Sequence, residues 1–100
     1  MSDNPRFYWD ERKQAINCKK HGISFKLAVQ AFDDLNLYSY IKEIIAGEER
    51  WATMGMIQDI LLFVIHTYDV DDLGYEHIRI ISARKASAKE RQIYVKRIRR

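Results

Sequence analysis

Residues 24–45 read SFKLAVQAFDDLNLYSYIKEII, and the apolar period changes inside them. In the first half Phe25, Ala28, Val29 and Phe32 fall at i, i+3, i+4 and i+7, the stripe of a helix facing a core. Ser24 stands where its hydroxyl can accept from the free amides of that helix's first turn. Asp33-Asp34 ends the helix, and residues 37–45 turn β-rich before Gly47. A helix that hands over to strands within so short a stretch predicts an α+β domain.

Upstream, Phe7-Tyr8-Trp9 reads as a short strand, and Asp10 can cap a helix over Glu11–His21. Gly22 suits the left-handed position after that helix, with Ile23 folding back on its last turn. Downstream, Glu48–Ile57 and residues 60–68 read as strands joined by a tight turn at Gln58-Asp59. Residues 60–68 are apolar on both faces, which marks a central strand. Residues 69–74 form a turn and 75–82 a further strand. Short turns between successive strands imply an antiparallel meander. Ser87-Ala88-Lys89-Glu90 is a capping box opening a C-terminal helix that runs to about Ile98. The expected architecture is α+β: an N-terminal strand and two helices, an antiparallel sheet and a C-terminal helix. It forms one domain across residues 1–100, with 1–6 and 99–100 as flexible ends.

At 100 residues the chain has the size of a single domain, and 47% hydrophobic content supplies a core. So small a core leaves stability marginal, and a permanent partner would help. The lone Cys18 permits no internal disulfide, which fits a reducing cytoplasm; mid-helix, it is expected as a small buried residue. The polar N-terminus lacks a signal-peptide core, and the longest apolar run, Ile60 to Ile65, is far too short to span a bilayer. A soluble cytoplasmic protein with no membrane partner is expected. The net charge of +3 is unevenly spread: residues 79–100 carry +8 and residues 1–78 carry −5. Such a cluster is the footprint of a polyanion-binding surface. A solvated helix face with a charged tail accounts for the charge equally well.

Familiar enzyme chemistries are missing. His21, His66 and His77 lie at no metal-ligand spacing and Cys18 has no second thiol nearby, so neither a metal nor another cofactor is expected. There is no Gly-rich phosphate loop and no Gly-x-Ser-x-Gly elbow. Asp33-Asp34 read as helix-end and turn residues.

The most specific stretch is Ile78-Arg79-Ile80-Ile81-Ser82-Ala83-Arg84-Lys85-Ala86, followed by Glu90-Arg91 and Tyr94. Before it come Phe7-Tyr8-Trp9-Asp10, Asn17, Lys20-His21-Gly22-Ile23-Ser24-Phe25, Phe32-Asp33-Asp34 and Glu48-Glu49-Arg50. Taken in this order, over about residues 7–94, the chain resembles the BrnT-type toxins of bacterial type II toxin–antitoxin pairs. It departs from that pattern at Leu35, where the family often has Pro, and at Ile45-Ala46, where it often has His-Ser. The resemblance implies a RelE-like fold and metal-independent RNA cleavage that inhibits translation. It also implies neutralisation by a BrnA-like ribbon-helix-helix antitoxin, with operator DNA bound only through the toxin–antitoxin complex. A non-enzymatic nucleic-acid-binding module, or a corepressor subunit, fits the same charge distribution. Cleavage discriminates the two, because a binder protects RNA.

Metal-free RNA cleavage needs a base for the 2′-hydroxyl, cations for the charge building at phosphorus, and an acid for the leaving oxygen. The planar, permanently charged fork of arginine suits the middle role, and Arg50, Arg79 and Arg84 are the candidates. Strict alternation puts Arg79 and Arg84 on opposite faces, so their strand must end or bulge near Ser82 for both to meet one substrate. For proton transfer the choices are His21, Glu48, His66 and Tyr94, each with a structural reading beside the catalytic one. His21 suits a helix C-terminus, Glu48 can pair with Arg50, His66 reads as a satisfied core histidine, and Tyr94 can pack on the sheet. Lys20, Lys85, Lys89 and Arg91 are candidate RNA contacts. Trp9 and Trp51 are large enough to stack on bases, though in so small a domain such rings usually belong to the core.

Overall fold

The computed structural model describes residues 5–98. Of the ends expected to be flexible, 1–4 and 99–100 lie outside the described residues, whereas Arg6 opens a strand. The elements are β1 (Arg6–Tyr8), α1 (Glu11–His21), α2 (Phe25–Val29) continued by a 3-10 turn (Gln30–Asp33), β2 (Tyr38–Ile45), β3 (Glu48–Ile57), β4 (Ile60–His66), β5 (Asp69–Val70), β6 (Glu76–Lys85) and α3 (Ala88–Ile98). The α+β reading holds.

Local chemistry sets the boundaries. The Asp10 carboxylate accepts from the amides of Arg12 and Lys13 at the start of α1, and Gly22 ends that helix at φ 73°. The Ser24 hydroxyl accepts from the Leu27 amide. At α3 both halves of the capping box are present, Glu90 N–H to Ser87 Oγ at 3.2 Å and Ser87 N–H to Glu90 Oε1 at 2.8 Å. Ala46 and Gly47, at φ 50° and 79°, close the β2–β3 hairpin with the two left-handed residues that a twisted two-residue loop requires.

The sheet has six strands in the order β1-β6-β4-β3-β2, with β5 also paired to β6. Strands β2, β3, β4 and β6 form the expected antiparallel meander, but β1 runs parallel to β6, so the sheet is mixed. Residues 69–74, read as a turn throughout, begin with β5, which pairs with the start of β6. On one face, α2 and the 3-10 turn cover a core of Ile23, Phe25, Ala28, Phe32, Leu62, Val64, Ile78, Ile80 and Ala83. On the other face, α3 covers only one end, over Met54, Leu61 and Phe63, with Tyr94 buried against them. Among the described residues, the rest of that second face carries no helix.

Asn17 is the only buried residue of α1. Its side-chain amide bonds both the N–H and the C=O of Ala83, at 3.1 and 2.8 Å, and so acts as a short strand along β6 where β1 has stopped. Its neighbour Cys18 is exposed, which corrects the expectation of a small buried residue. With α1 seated on the sheet's edge, one narrow line of contact leaves the next position in solvent. No helix among the described residues is long and apolar enough to cross a membrane.

Candidate active site

The helix-free part of the second face is positioned by an irregularity in β6. Ile65 of β4 pairs with Ser82 and His66 pairs with Ile80, so Ile81 is an extra, unpaired residue. The bulge resets the alternation. Ile78 and Ile80 before it, and Ala83 after it, all enter the same core under the helices. Arg79 and Arg84 are therefore both turned to the opposite, open face.

There β3 presents Glu48 and Arg50 in alternation with Glu49 and Trp51. Glu48 Oε1 receives Arg79 Nη2 at 2.9 Å and Arg50 Nη2 at 3.2 Å. One carboxylate thus bridges two guanidinium groups from strands that are not neighbours. The Arg79 hydrogen bond, outweighing partial burial and supported by Arg50, holds the Glu48 carboxyl below its ordinary range. It is ionised at neutral pH. The cluster is open, with side-chain exposures of 42% for Glu48, 35% for Arg79 and 22% for Arg50. Tyr8 of β1 stands in register with Arg79 and is 47% exposed, adding an aromatic ring beside the cations. Tyr8, Glu48, Thr67 and Tyr68 line a cleft of about 440 Å³ at this end of the sheet.

Arg84 shares the face but not the cluster. Phe63 opposite Arg84 and Ile65 opposite Ser82 place it two same-face rows from Arg79, about 13 Å at ~3.3 Å per residue. Its guanidinium forms a two-pronged pair with Glu90, at 2.8 and 2.9 Å, and lies 4.4 Å over the Phe63 ring. This pair ties α3 to β6. The Arg84 bond, working against burial, holds Glu90 low. Between the two arginine rows stands Tyr40, whose phenol is pushed up by burial and then by the Glu90 charge.

The remaining candidates lie elsewhere. Tyr94 is 3% exposed and donates its hydroxyl to Asp34 Oδ2, which also accepts from the Met56 amide at 2.8 Å. Burial and that bond push Tyr94 up to about 12. Asp34 is thus more than a turn residue, since it joins the 3-10 turn to β3 and α3. His21 and Lys20 line a separate cleft with Ile81 and Ser82, between α1 and β6. Lys85 and Lys89 are exposed, and Arg91 borders a groove on the outer side of α3 with Ala88, Gln92, Val95 and Lys96.

His66 is a satisfied core histidine, 3% exposed. The Thr67 carbonyl, 2.8 Å from Nδ1, can only accept, so Nδ1 carries the proton and Nε2 accepts from the Thr53 hydroxyl at 2.6 Å. Burial pushes His66 down to about 4, and it is neutral at pH 7. Trp9 packs edge-on to Phe25, as a core ring does.

Sequence reasoning missed Tyr8 and Tyr40. For Tyr8 the signal was available, since alternation in Phe7-Tyr8-Trp9 sends Tyr8 away from its neighbours. Tyr40 carried no signal, because only the pairing of β2 with β3 brings it near Arg84. The family model described as "Ribonuclease toxin, BrnT, of type II toxin-antitoxin system" matches residues 9–90. A search of curated proteins returned no match.

Proposed function

The chain belongs to the BrnT family of ribonuclease toxins of type II toxin–antitoxin systems, and on that premise we propose that the Glu48–Arg50–Arg79 cluster cleaves RNA. The observation that carries this reading is one ionised carboxylate holding two guanidinium groups on an open sheet face. A phosphodiester entering the cleft competes with Glu48 for both arginines. As they turn to its oxygens, the bonds that hold Glu48 low are given up, and the carboxylate becomes a stronger base at that moment. Glu48 then takes the proton of the 2′-hydroxyl while the 2′-oxygen attacks phosphorus. Arg79 and Arg50 stabilise the extra negative charge of the phosphorane. The bond to the 5′-oxygen breaks, and solvent water, which reaches so exposed a cluster, protonates the leaving oxygen.

The positive charge this chemistry needs comes from the two arginines, so cleavage proceeds in EDTA. Products carry 2′,3′-cyclic phosphate or the derived 3′-phosphate ends. Strict dependence on an added divalent metal, or RNA that is bound and protected without being cut, defeats the mechanism.

Membership of the family implies an antitoxin partner. We assign that role to a BrnA-like ribbon-helix-helix protein, through which alone the complex meets operator DNA. Free toxin acts on RNA in the cytoplasm and thereby inhibits translation. The antitoxin's acidic segment fits the outer groove of α3, whose apolar floor of Ala88 and Val95 is edged by Arg91 and Lys96.

A further inference from the structure

His77 of β6 has no part in the cleavage chemistry above, yet it stands on the face that carries it. Glu76, Ile78 and Ile80 are buried, the two isoleucines in the core under the helices. Alternation therefore turns His77 to the open face together with Arg79. Its side chain is 30% exposed. One same-face step along β6 separates it from Arg79, about 7 Å at ~3.3 Å per residue. On the neighbouring strand β5, Asp69 is paired with His77, so the two side chains share a face, and Asp69 borders the cleft that holds Glu48. His77 thus flanks the cleft into which the phosphodiester enters.

The ring is held from behind by a carboxylate. His77 Nε2 lies 2.8 Å from Asp71 Oδ2. The His77 bond, followed by that of the Tyr75 amide, holds the Asp71 carboxyl below its ordinary range. An ionised carboxylate can only accept, so Nε2 carries a proton. The two oxygens of Asp71 divide their work. Oδ1 accepts from the amides of Leu73 and Tyr75, at 2.9 and 3.0 Å, and closes the turn before β6. Oδ2 is left to the imidazole, which the turn does not need. Nδ1 of His77 has no partner among the described residues. With Nε2 committed to Asp71, Nδ1 is the atom through which the ring exchanges a proton with solvent.

We propose that His77 is the source of the proton received by the leaving 5′-oxygen, delivered from Nδ1 through the solvent water beside the cluster. The inference rests on the ribonuclease reading and gives its final proton transfer a donor. As the bond from phosphorus to the 5′-oxygen breaks, the water gives that oxygen a proton and takes one from Nδ1. His77 is left neutral, and Glu48 holds the proton of the 2′-hydroxyl. Solvent then returns the first and removes the second, so the site is restored without any other reactant. Imidazole suits this role because it gives and regains a proton near neutral pH. The charged and titratable groups around the ring are Arg79 on β6, Arg6 and Tyr8 on β1, Asp69 on β5, Asp71 in the turn, and Glu48 and Arg50 on β3. None of the others pairs a nitrogen held by a carboxylate with a second nitrogen open to water.

The test compares two RNA strands of one sequence, the second carrying sulfur in place of the 5′-oxygen at the mapped cleavage site. An alkoxide needs a proton to leave, whereas a thiolate does not. Single-turnover cleavage in EDTA is followed against pH for wild type and His77→Gln, whose amide can still donate to Asp71. The expected result is a loss of about 10²-fold on the oxygen strand and less than about threefold on the sulfur strand. The wild-type rate on the oxygen strand should fall on the alkaline side as His77 loses its proton, and that limb should be missing in His77→Gln and on the sulfur strand. Equal losses on both strands, no loss on the oxygen strand, or an alkaline limb that survives His77→Gln overturns the inference. If wild type cleaves both strands and His77→Gln matches it, the inference alone fails and the ribonuclease reading stands. If wild type cleaves neither, the ribonuclease reading fails and takes this inference with it.

Discussion

At the scale of single residues, His66 and the bulge at Ile81 define what the site can and cannot use. Buried His66 is pushed down to about 4 from an unfolded value of 6.5, so the unfolded chain takes up a proton that the folded chain refuses. Its contribution is fully present above pH 6.5 and is lost as pH falls toward 4, roughly 3 kcal/mol in all. Carboxylates held low, such as Glu90, lose their contribution only below about pH 4.5. Urea unfolding should therefore show about 2 kcal/mol less stability at pH 5 than at pH 7.5, and His66→Gln should remove most of that difference. A wild-type profile flat across this window contradicts the burial argument. The role of His66 was legible because a histidine ending an apolar strand has few other places to go. The bulge was legible only as a requirement, since Ile80 and Ile81 are both apolar and either could be the extra residue.

Elements were easiest to read where the deciding chemistry is local. The caps at Asp10, Ser24 and Ser87 and the left-handed Gly22 each act within four residues; α1 begins and ends, and α2 and α3 begin, where those signals put them. The parallel pairing of β1, the short β5 and the edge role of Asn17 depend on partners some sixty or more residues away along the chain or on a loop's path, and no local pattern carries them. Two substitutions test these contacts. Asn17→Ala leaves the Ala83 N–H and C=O without their partner and should cost roughly 3 kcal/mol. Gly55 lies where β3 meets the 3-10 turn, and a Cβ there would stand 2.1 Å from the Ala31 carbonyl oxygen. Since that neighbour is backbone, Gly55→Ala should cost about 2 kcal/mol or more, lowering the melting temperature by roughly 10 °C. A Gly55→Ala chain that melts with the wild type refutes the close approach.

Across the whole molecule, the cations described between residues 79 and 98 do not form one uniform basic surface. Arg84 is paired with Glu90, Arg79 shares Glu48 with Arg50, and Arg91 and Lys96 border the outer groove of α3. Composition revealed the excess charge, but the pairing strands determine which arginines face one another. If α3 receives an acidic antitoxin segment, saturating partner should raise stability by about 4 kcal/mol at a thousandfold excess over Kd. Arg91→Glu combined with Lys96→Glu should weaken the complex at least tenfold, with unchanged affinity assigning the partner to another face. The central claim, that Arg79 acts chiefly in the transition state of RNA cleavage, needs a rate and an affinity from the same preparations. The most direct measurement is single-turnover cleavage in EDTA beside RNA binding, for wild type and Arg79→Ala. The account predicts a rate lower by about 10²–10³ with RNA affinity changed by less than about tenfold, because the other cations still hold the backbone. An unchanged rate, or a loss of rate matched by an equal loss of affinity, contradicts it.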